Sequence, residues 1–414
     1  EYLENEKEDI LLYIKDQNKI YLKIEDPELL ENITKEITKN LEKIYYFVKD
    51  LGSMSINSNF INTKELKIII GYSLQEFYSQ YKNEVNARFD QLKKNEEELN
   101  RIFIDIYGLQ DELTPDVEDK DITVARIYDK KEDIQESMKG NIYVRTKQDV
   151  VKDLISYIVG CTFGRYSPYR DGLQFAGGTF DWGEFLDDER KLKYHKSTEN
   201  MTISDRFMPS EDNCIVNTDN DYVEFSLVDR VIEFISVIYG QATLEENLRF
   251  IANALDEKSN DTPRNVIREY LANDFFKDHC KKYQNRPIYW QFDSGKNGGF
   301  RALMYLHRYD QNTIPTARLS YLHDIQWKYE HEKDRLEQFI EKSNLTAEKA
   351  KAKKELDLIN KQILECKAYD EILNHASNMN IQIDLDDGVK VNYQKFQKLD
   401  GDKEKNIFST YLKF

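Results

Sequence analysis

The chain has 414 residues and a formal net charge of −17, with only 16 glycines and 7 prolines. This length predicts two or three domains. The low glycine and proline content argues against a sandwich-rich chain and against a disordered chain. The net acidity argues against a protein that coats nucleic acid with its whole surface, although it leaves room for a local basic groove.

The cysteine spacing and the hydropathy pattern indicate the expected cellular compartment. The four cysteines are far apart and form no CxxC pair; they are Cys161, Cys214, Cys280 and Cys366. This spacing argues against a zinc ribbon or a disulfide scaffold and predicts free thiols in a reducing cytosol. No apolar run approaches the ~18–20 residues of a membrane span, and no signal peptide is recognisable. A cytoplasmic protein without membrane contact is expected. Because the sequence starts at Glu1 and not at a methionine, we expect a fragment of a longer gene product.

The first 110 residues predict a strand pair followed by helices. Residues 10–14 and 20–24 have the alternating pattern of two strands. A helical pattern then runs from Pro27 to Ile44. Residues 64–107 predict one long helical stretch, with an interruption allowed near Gly71, that stops at Gly108. Residues 1–110 are therefore taken as an N-terminal domain.

Four helices with clear starts are predicted between residues 146 and 282. Thr146, Ser226 and Thr243 each precede an acidic residue by three positions, which is a capping-box pattern. Thr262 is followed by Pro263, the favoured order at a helix start. Residues 165–223, between the first and second of these helices, form a long irregular segment of a kind that is usually functional or mobile.

Residues 279–328, called the basic segment below, differ in charge from the rest of the chain. They hold eight Lys and Arg residues against three acidic residues, a net +5, so the remainder carries −22. Residues 287–292 and 300–306 predict a β-hairpin, and we call the connection from Asp293 to Gly299 the glycine loop. The side chains expected in the core are Ile288, Trp290, Phe292, Phe300, Ala302, Met304 and Leu306.

The glycine loop is predicted to project from the sheet with exposed backbone amides. The amides and Lys296 would meet phosphates, and Asn297 would meet base edges. Arginines of the basic segment would line the same groove, and residues 165–170 supply a second aromatic and basic group. The candidate DNA-binding residues are Arg286, Lys296, Asn297, Arg301, Arg308, Arg318, Arg165, Tyr166 and Arg170. On the residues alone, an ordinary hairpin with paired arginines and a packed helix end remain open alternatives.

The C-terminal residues predict a helical hairpin and a β tail. Residues 328–377 form two helices with a break at Ser343, close to a short antiparallel coiled coil. Their mixed charge is typical of a solvated spacer or a partner-docking arm. In the tail, residues 381–385 and 389–393 flank an Asp-Gly turn, which predicts a β-hairpin.

The motifs of catalysis and cofactor binding are missing from the sequence. No two prolines are adjacent, so the Pro-Pro-Tyr loop with which amino-methyltransferases hold a flipped base is absent. No GxGxxG follows a strand, the GKNGG run is not a P-loop, and no GxSxG occurs. Glu118-Asp119-Lys120 is interpreted as a solvated loop, and the neighbouring His279 and Cys280 are not expected to chelate a metal. No catalytic, cofactor or metal site is predicted in this chain.

Several stretches together carry a resemblance to a known family. They are residues 95–108 (NEEELNRIFIDIYG), 111–115 (DELTP), 153–166 (DLISYIVGCTFGRY), 175–178 (FAGG), 273–279 (NDFFKDH), 286–290 (RPIYW), 305–309 (YLHRY) and 386–393 (DDGVKVNY). Over roughly residues 90–395 the chain resembles the C-terminal part of the PglX family, the adenine-specific DNA methyltransferases of the bacterial phage-defence system called BREX.

The resemblance implies a DNA-modification enzyme that transfers a methyl group from S-adenosylmethionine to adenine N6. It places the catalytic domain and the cofactor N-terminal to this chain, which then has no catalytic residue of its own and would be inactive alone. The implied partners are double-stranded DNA, the protein's own methyltransferase domain and other BREX proteins. The alternative is an interaction scaffold that docks other defence proteins with little DNA contact.

The expected fold class is α+β and helix-rich. It comprises a multi-helix scaffold, a small mixed β recognition domain and a C-terminal helical hairpin. Residues 111–327 are the target-recognition-like region, and residues 328–414 are the helical hairpin with its β tail.

Overall fold

A computed structural model describes residues 73–181, 185, 207–218, 225–256, 259–343, 345–396 and 407–409, together with the backbone of five strands between residues 10 and 71. The chain divides into two compact units. Unit 1 comprises Glu1–Ile155 and Ile235–Ser259, and unit 2 comprises Ser156–Phe234 and Asn260–Phe414.

Far more of the described residues lie in helices than in strands, and the predicted helix-rich α+β class is confirmed. The helices are α1 Leu74–Tyr107, α2 Lys147–Thr162, α3 Leu227–Tyr239, α4 Leu244–Leu255, α5 Pro263–Tyr270, α6 Phe276–Lys282, α7 Thr313–Thr316, α8 His323–Lys342, α9 Thr346–Met379 and α10 Gly388–Lys395. The strands are β1 Ile10–Asp16, β2 Lys19–Ile24, β3 Ser55–Asn57, β4 Ile61–Asn62, β5 Glu65–Gly71, β6 Arg126–Tyr128, β7 Val144–Thr146, β8 Ile215–Val216, β9 Tyr289–Asp293 and β10 Arg301–Tyr305.

Unit 1 begins with an antiparallel sheet in the order β1-β2-β5-β3, with β4 also paired to β5. The predicted strand pair is confirmed, because β1 and β2 are direct neighbours. The helix predicted from Pro27 to Ile44 lies outside the described residues.

The long helix begins later than predicted. Residues 65–71 form strand β5, which pairs with β2, so the prediction of helix from residue 64 is wrong. The run Ile68-Ile69-Ile70 explains the difference, because branched side chains lose freedom in a helix and pack well on a sheet. The predicted stop at Gly108 is confirmed. Its φ of 67° is left-handed, and its N–H donates to the carbonyl of Asp105.

The first half of α1 carries the core of unit 1. Tyr78 and Val85 pack with Ile127 of β6, and Phe89 belongs to a second buried cluster. The N–H of Leu74 donates to the side chain of buried Asn247 at 2.8 Å, which fixes the start of α1 against α4.

The predicted helix starts between residues 146 and 282 are confirmed. Thr146 forms its capping box with Asp149, and Ser226 is bonded to Asp229. Thr262 accepts from the N–H of Asn265. Helix α4 also begins as predicted, but Thr243 makes no side-chain cap. The signals succeed because each lies within three or four residues of the helix it starts.

Unit 2 is built on a three-stranded antiparallel sheet in the order β8-β10-β9. The predicted hairpin is confirmed, with Trp290 opposite Met304 and Tyr289 opposite Tyr305. All seven predicted core side chains are buried, and so are Tyr289 and Gln291 on the alternate face. The sheet therefore has no solvated face in this region.

The predicted C-terminal β-hairpin is wrong. Residues 388–395 are helix α10, preceded by a 3₁₀ turn at Leu385–Asp387. The helical period brings Tyr393 and the following Phe396 against Trp290, each with ring centroids 5.6 Å apart. Burial of these rings outweighs the local turn preference of Asp387-Gly388, because a local preference is a weak bias that packing overrides.

The predicted helical hairpin is confirmed. Helix α8 ends at Lys342 and α9 begins at Thr346, on either side of the predicted break. Leu336 of α8 and Ile359 and Ile363 of α9 are buried. The hairpin is part of unit 2, and its second helix also contacts the basic segment.

Candidate nucleic-acid interface

The nine candidate residues comprise three solvent-facing residues, four engaged arginines and two half-buried residues. Arg170, Arg286 and Lys296 are exposed. The guanidinium groups of Arg165, Arg301, Arg308 and Arg318 are bonded to other parts of unit 2. Tyr166 and Asn297 are half-buried. The structure therefore does not form one groove lined by all four arginines of the basic segment.

Arg308 is held by three backbone carbonyls and by an aromatic ring. Its guanidinium donates to the carbonyls of Phe163 (3.3 Å), Ser210 (3.1 Å) and Glu211 (2.9 Å). It also lies over the ring of Phe180, 3.8 Å from the centroid. Burial lowers the pKa of Arg308 to about 10. Arg308 thus closes the irregular segment onto the end of β10.

Arg318 forms a bidentate ion pair with Asp370 of α9, at 2.8 and 3.0 Å. His323 Nε2 lies 2.7 Å from the same carboxylate. Burial alone would raise the pKa of Asp370, but the hydrogen bonds from Arg318 and His323 outweigh it and lower that pKa. This cluster ties the start of α8 to α9.

Arg301 and Arg165 are engaged as well. Arg301 donates to the carbonyl of Ala272 at 3.2 Å and pairs with Asp293 at 3.5 Å. Arg165 donates to the hydroxyl of Tyr305 at 2.9 Å and to that of Tyr166 at 3.2 Å. Arg301 thus links β10 to Ala272 and to Asp293 of β9, and Arg165 links the segment after α2 to Tyr305 of β10.

In the glycine loop, the backbone amides of Asn297 and Gly299 are hydrogen-bonded to a helix and not exposed, contrary to the prediction. The carboxylate of Glu365, on α9, accepts from the N–H groups of Asn297 (2.9 Å) and Gly299 (3.0 Å). It also accepts from the side chains of Asn297 (2.8 Å) and Ser294 (2.7 Å). A carboxylate has the lone pairs to accept several donors at once, so the loop folds back onto the helix.

Neighbouring contacts reinforce this attachment. Gln362 donates to the carbonyl of Asn297 at 3.1 Å, and Tyr329 donates to that of Gly299 at 2.9 Å. A Cβ at Gly299 would lie 2.9 Å from both Cys366 Sγ and the Gln362 carbonyl. Only glycine permits so close an approach of loop and helix.

The electrostatics of Glu365 follow from these donors. Burial alone would raise the pKa of its carboxyl. The hydrogen bonds from Gly299, Ser294 and Asn297 outweigh burial, and the pKa lies below its usual range. Glu365 is therefore ionised at neutral pH and fixes the loop so that Lys296 stays exposed at its tip.

A pocket of about 430 Å³ lies beside the second candidate group. It is lined by Tyr157, Tyr166, Ser167, Pro168, Tyr169, Arg170, Asp171 and Gly172. Tyr157 stacks on Tyr166 with centroids 5.6 Å apart. The hydroxyl of Tyr157 donates to the Ser167 carbonyl at 3.0 Å. The open alternative of a packed helix end thus describes Tyr166 well, whereas Arg170 remains exposed.

The described ranges offer no group of three or more His, Cys, Asp or Glu side chains placed to hold a metal ion. All four cysteines are buried free thiols. His279 is buried, and its Nε2 accepts from the N–H groups of Ile288 and Tyr289, both at 3.1 Å. Burial lowers the pKa of His279 to about 3, so it is a neutral acceptor at the start of β9. Of the described helices, none is both long enough and apolar enough to cross a membrane.

Glu365 was missed by the sequence reasoning. It lies 66–71 residues from its loop partners in the chain, within a helix whose surface is generally charged. No local pattern distinguishes it from the other glutamates of α9. The same holds for Asp370, whose pairing with Arg318 spans 52 residues.

No protein-family model matches the chain. Over 349 residues, 84% of its length, the chain is 43% identical to the adenine-specific methyltransferase PglX of Lacticaseibacillus casei (strain Zhang). Over 328 residues, 78% of its length, it is 35% identical to the adenine-specific methyltransferase BrxX of Escherichia coli O9:H4 (strain HS). The resemblance seen in the sequence is confirmed. Each match covers 26% of the relative, so the chain spans about a quarter of the length of these curated relatives.

Proposed function

We propose that this chain is the C-terminal DNA target-recognition and scaffold part of a site-specific adenine-N6 DNA methyltransferase of a BREX phage-defence system. The observation that carries the proposal is the similarity, over about four fifths of the chain, to two proteins named adenine-specific methyltransferases. In this proposal S-adenosylmethionine and the catalytic residues belong to another part of the longer protein, and the chain alone is inactive.

In this proposal the exposed cations are the groups that contact DNA. Arg170, Arg286 and Lys296 face solvent and are suited to phosphate contacts, which position a protein on a duplex. Lys296 is carried by a loop that is already ordered by Glu365, so binding costs little further ordering. The engaged arginines act as framework that holds this surface. An enzyme that methylates a duplex base must extrude it, and this part would grip the duplex while that happens.

Fluorescence anisotropy with a labelled duplex tests DNA binding. The wild-type chain should bind, and its affinity should fall by about 10³-fold or more between about 50 and 200 mM salt if six or more phosphates are contacted. The triple variant Arg170→Glu, Arg286→Glu, Lys296→Glu should weaken binding by about 100-fold. Its salt slope should drop by about one for each lost contact.

Lys353→Glu is the matched control. Lys353 is exposed on α9 and lies twelve residues before Glu365, about 18 Å along the helix at 1.5 Å per residue. It should leave affinity unchanged. Salt-independent binding, or a triple variant that binds like the control, contradicts the DNA-recognition role.

An interaction scaffold is the second candidate, and exposed apolar residues on the helical hairpin favour it. Trp327 and Leu364 expose more than half of their side chains, so both large apolar groups are available to dock a partner. Co-purification of other BREX proteins with the chain, lost in a Trp327→Ala, Leu364→Ser variant, would support docking by the hairpin. Equal recovery with the variant would count against it.

A further inference from the structure

The second half of α1 exposes a row of apolar side chains, here called the α1 stripe. Its members are Leu99, Ile102, Phe103, Ile106 and Tyr107. Ile106 is 68% exposed and Tyr107 is 70% exposed. In the first half of the same helix, Tyr78, Val85 and Phe89 are buried. The α1 stripe thus extends the apolar face of an amphipathic helix. The described residues bury this face in the first half of α1 and leave it exposed in the second half.

The geometry of the α1 stripe is that of a docking face. At about 100° per residue its five members fall within an arc of about 140°. The helix stays regular to Tyr107, and the N–H of Leu109 donates to the carbonyl of Ile104 at 3.0 Å beyond the cap. A rigid row of large apolar groups at i, i+3, i+4 and i+7 is how a helix fills a hydrophobic groove. Contiguous exposed apolar groups of this kind mark interaction sites.

The charge around the α1 stripe indicates which charge the surface of its partner should carry. Residues 94–118 contain two basic and eight acidic residues, a net charge of −6. A second copy would bring −6 against −6, and DNA is itself a polyanion, so both are repelled. The complementary partner is an apolar groove with a rim of lysine and arginine.

Chain length indicates where such a groove belongs. The relatives extend well beyond the quarter of their length that matches this chain. We propose that the α1 stripe docks into a basic-rimmed apolar groove on the part of the longer polypeptide that this chain lacks. The inference rests on the proposed function only in assuming that longer polypeptide. It does not depend on DNA recognition.

The buried native cysteines make the proposal testable by thiol labelling. Because all four are buried, Ile106→Cys adds one reactive surface thiol to this chain. The variant is made both in this chain and in the polypeptide expressed from the complete native reading frame, and the rates of maleimide reaction at residue 106 are compared by peptide mapping. Ile106→Cys should react at least about tenfold more slowly in the complete polypeptide. Phe103→Cys serves as a second reporter of the same face.

Arg88→Cys is the matched control on the same helix, at a side chain that is 76% exposed. It should react equally fast in both proteins. Reversal of the acidic rim by Asp105→Lys with Glu112→Lys should restore fast labelling of Ile106→Cys in the complete polypeptide, because the basic rim then repels it.

Three labelling results overturn the proposal. They are equal labelling of Ile106→Cys in both proteins, protection unaffected by the acidic-rim reversal, and protection in the short chain alone that rises with concentration alongside a dimer mass. A native reading frame no longer than this chain also overturns it. Labelling and DNA binding are read separately. Loss of salt-dependent DNA binding with protection intact contradicts only DNA recognition, whereas equal labelling with DNA binding intact contradicts only the docking.

Discussion

The basic segment and the end of α1 use their side chains in opposite ways. Residues 279–328 are the most basic part of the chain, yet Arg301, Arg308 and Arg318 are bonded within unit 2. Residues 99–107 belong to an acidic, charged stretch, yet most of their apolar groups face solvent and Ile104 alone among them is buried. Composition therefore predicts neither surface correctly, because the side chains that a segment exposes depend on which other residues pack against it.

The difference has a physical cause in the neighbours that each region finds. Arg308 meets carbonyls 97–145 residues away in the chain, and Arg318 meets Asp370 of α9. A guanidinium removed from water needs such acceptors, because an unpaired buried charge is costly. The apolar groups of the α1 stripe meet no comparable cover in the described residues.

Replacement of Arg308, a bonded arginine of the basic segment, should give the largest loss of stability. Arg308→Ala removes three donors to carbonyls and the contact with Phe180. The free energy of unfolding of unit 2 should fall by about 3 kcal/mol, because the carbonyls lose charged partners. Urea denaturation measures it. Arg286→Ala, at an exposed arginine, should stay within about 0.5 kcal/mol of wild type. Equal losses in the two variants would mean that Arg308 is not structural.

Glu365→Gln tests the attachment of the glycine loop and should cost about 2 kcal/mol at neutral pH, since charged acceptors bind N–H groups more strongly than neutral ones. The folded-state pKa of Glu365 is lowered below 4.5. Its stabilisation is therefore fully present above the unfolded pKa and is lost as pH falls through the folded pKa. The gap between wild type and Glu365→Gln should narrow as pH drops below about 4.5.

Glu371→Gln is the control for that measurement, because Glu371 is exposed on the same helix. It should change the free energy of unfolding little at any pH. A constant gap between wild type and Glu365→Gln across the acidic range would show that the ionised carboxylate does not hold the loop.

Ile106→Ser should have the smallest effect. Ile106 is exposed in this chain, so its replacement should change the free energy of unfolding of unit 1 by no more than about 0.5 kcal/mol. Ile104→Ser, two residues earlier and buried, should cost about 2–3 kcal/mol. Urea denaturation of the two variants compares them. Similar losses would indicate that the α1 stripe is already covered within the chain.

The elements that the sequence predicted well are those whose signals are local. The capping box of Thr146 with Asp149, the stop at Gly108 and the hairpin of β9 and β10 each depend on residues a few positions apart. The helix predicted at residues 65–71 was wrong because Ile68-Ile69-Ile70 favours a strand, which pairs with β2. The strand predicted at residues 389–393 was wrong because burial against Trp290 overrode the local turn preference. The state of Arg308 and Arg318 was beyond prediction, since their acceptors lie 52 to 145 residues away in the chain.

The sequence by itself determined the helix-rich α+β class, the helical hairpin, the buried strands of the basic segment and the resemblance to adenine-specific methyltransferases. It did so because hydrophobic period, capping residues and ordered motifs are properties of adjacent residues. Only the tertiary structure decided which cations remain exposed, that Glu365 closes the glycine loop, and that the described residues leave the α1 stripe uncovered. Hydrogen bonding and burial of those groups are set by partners brought together through folding, and no adjacent residue specifies them.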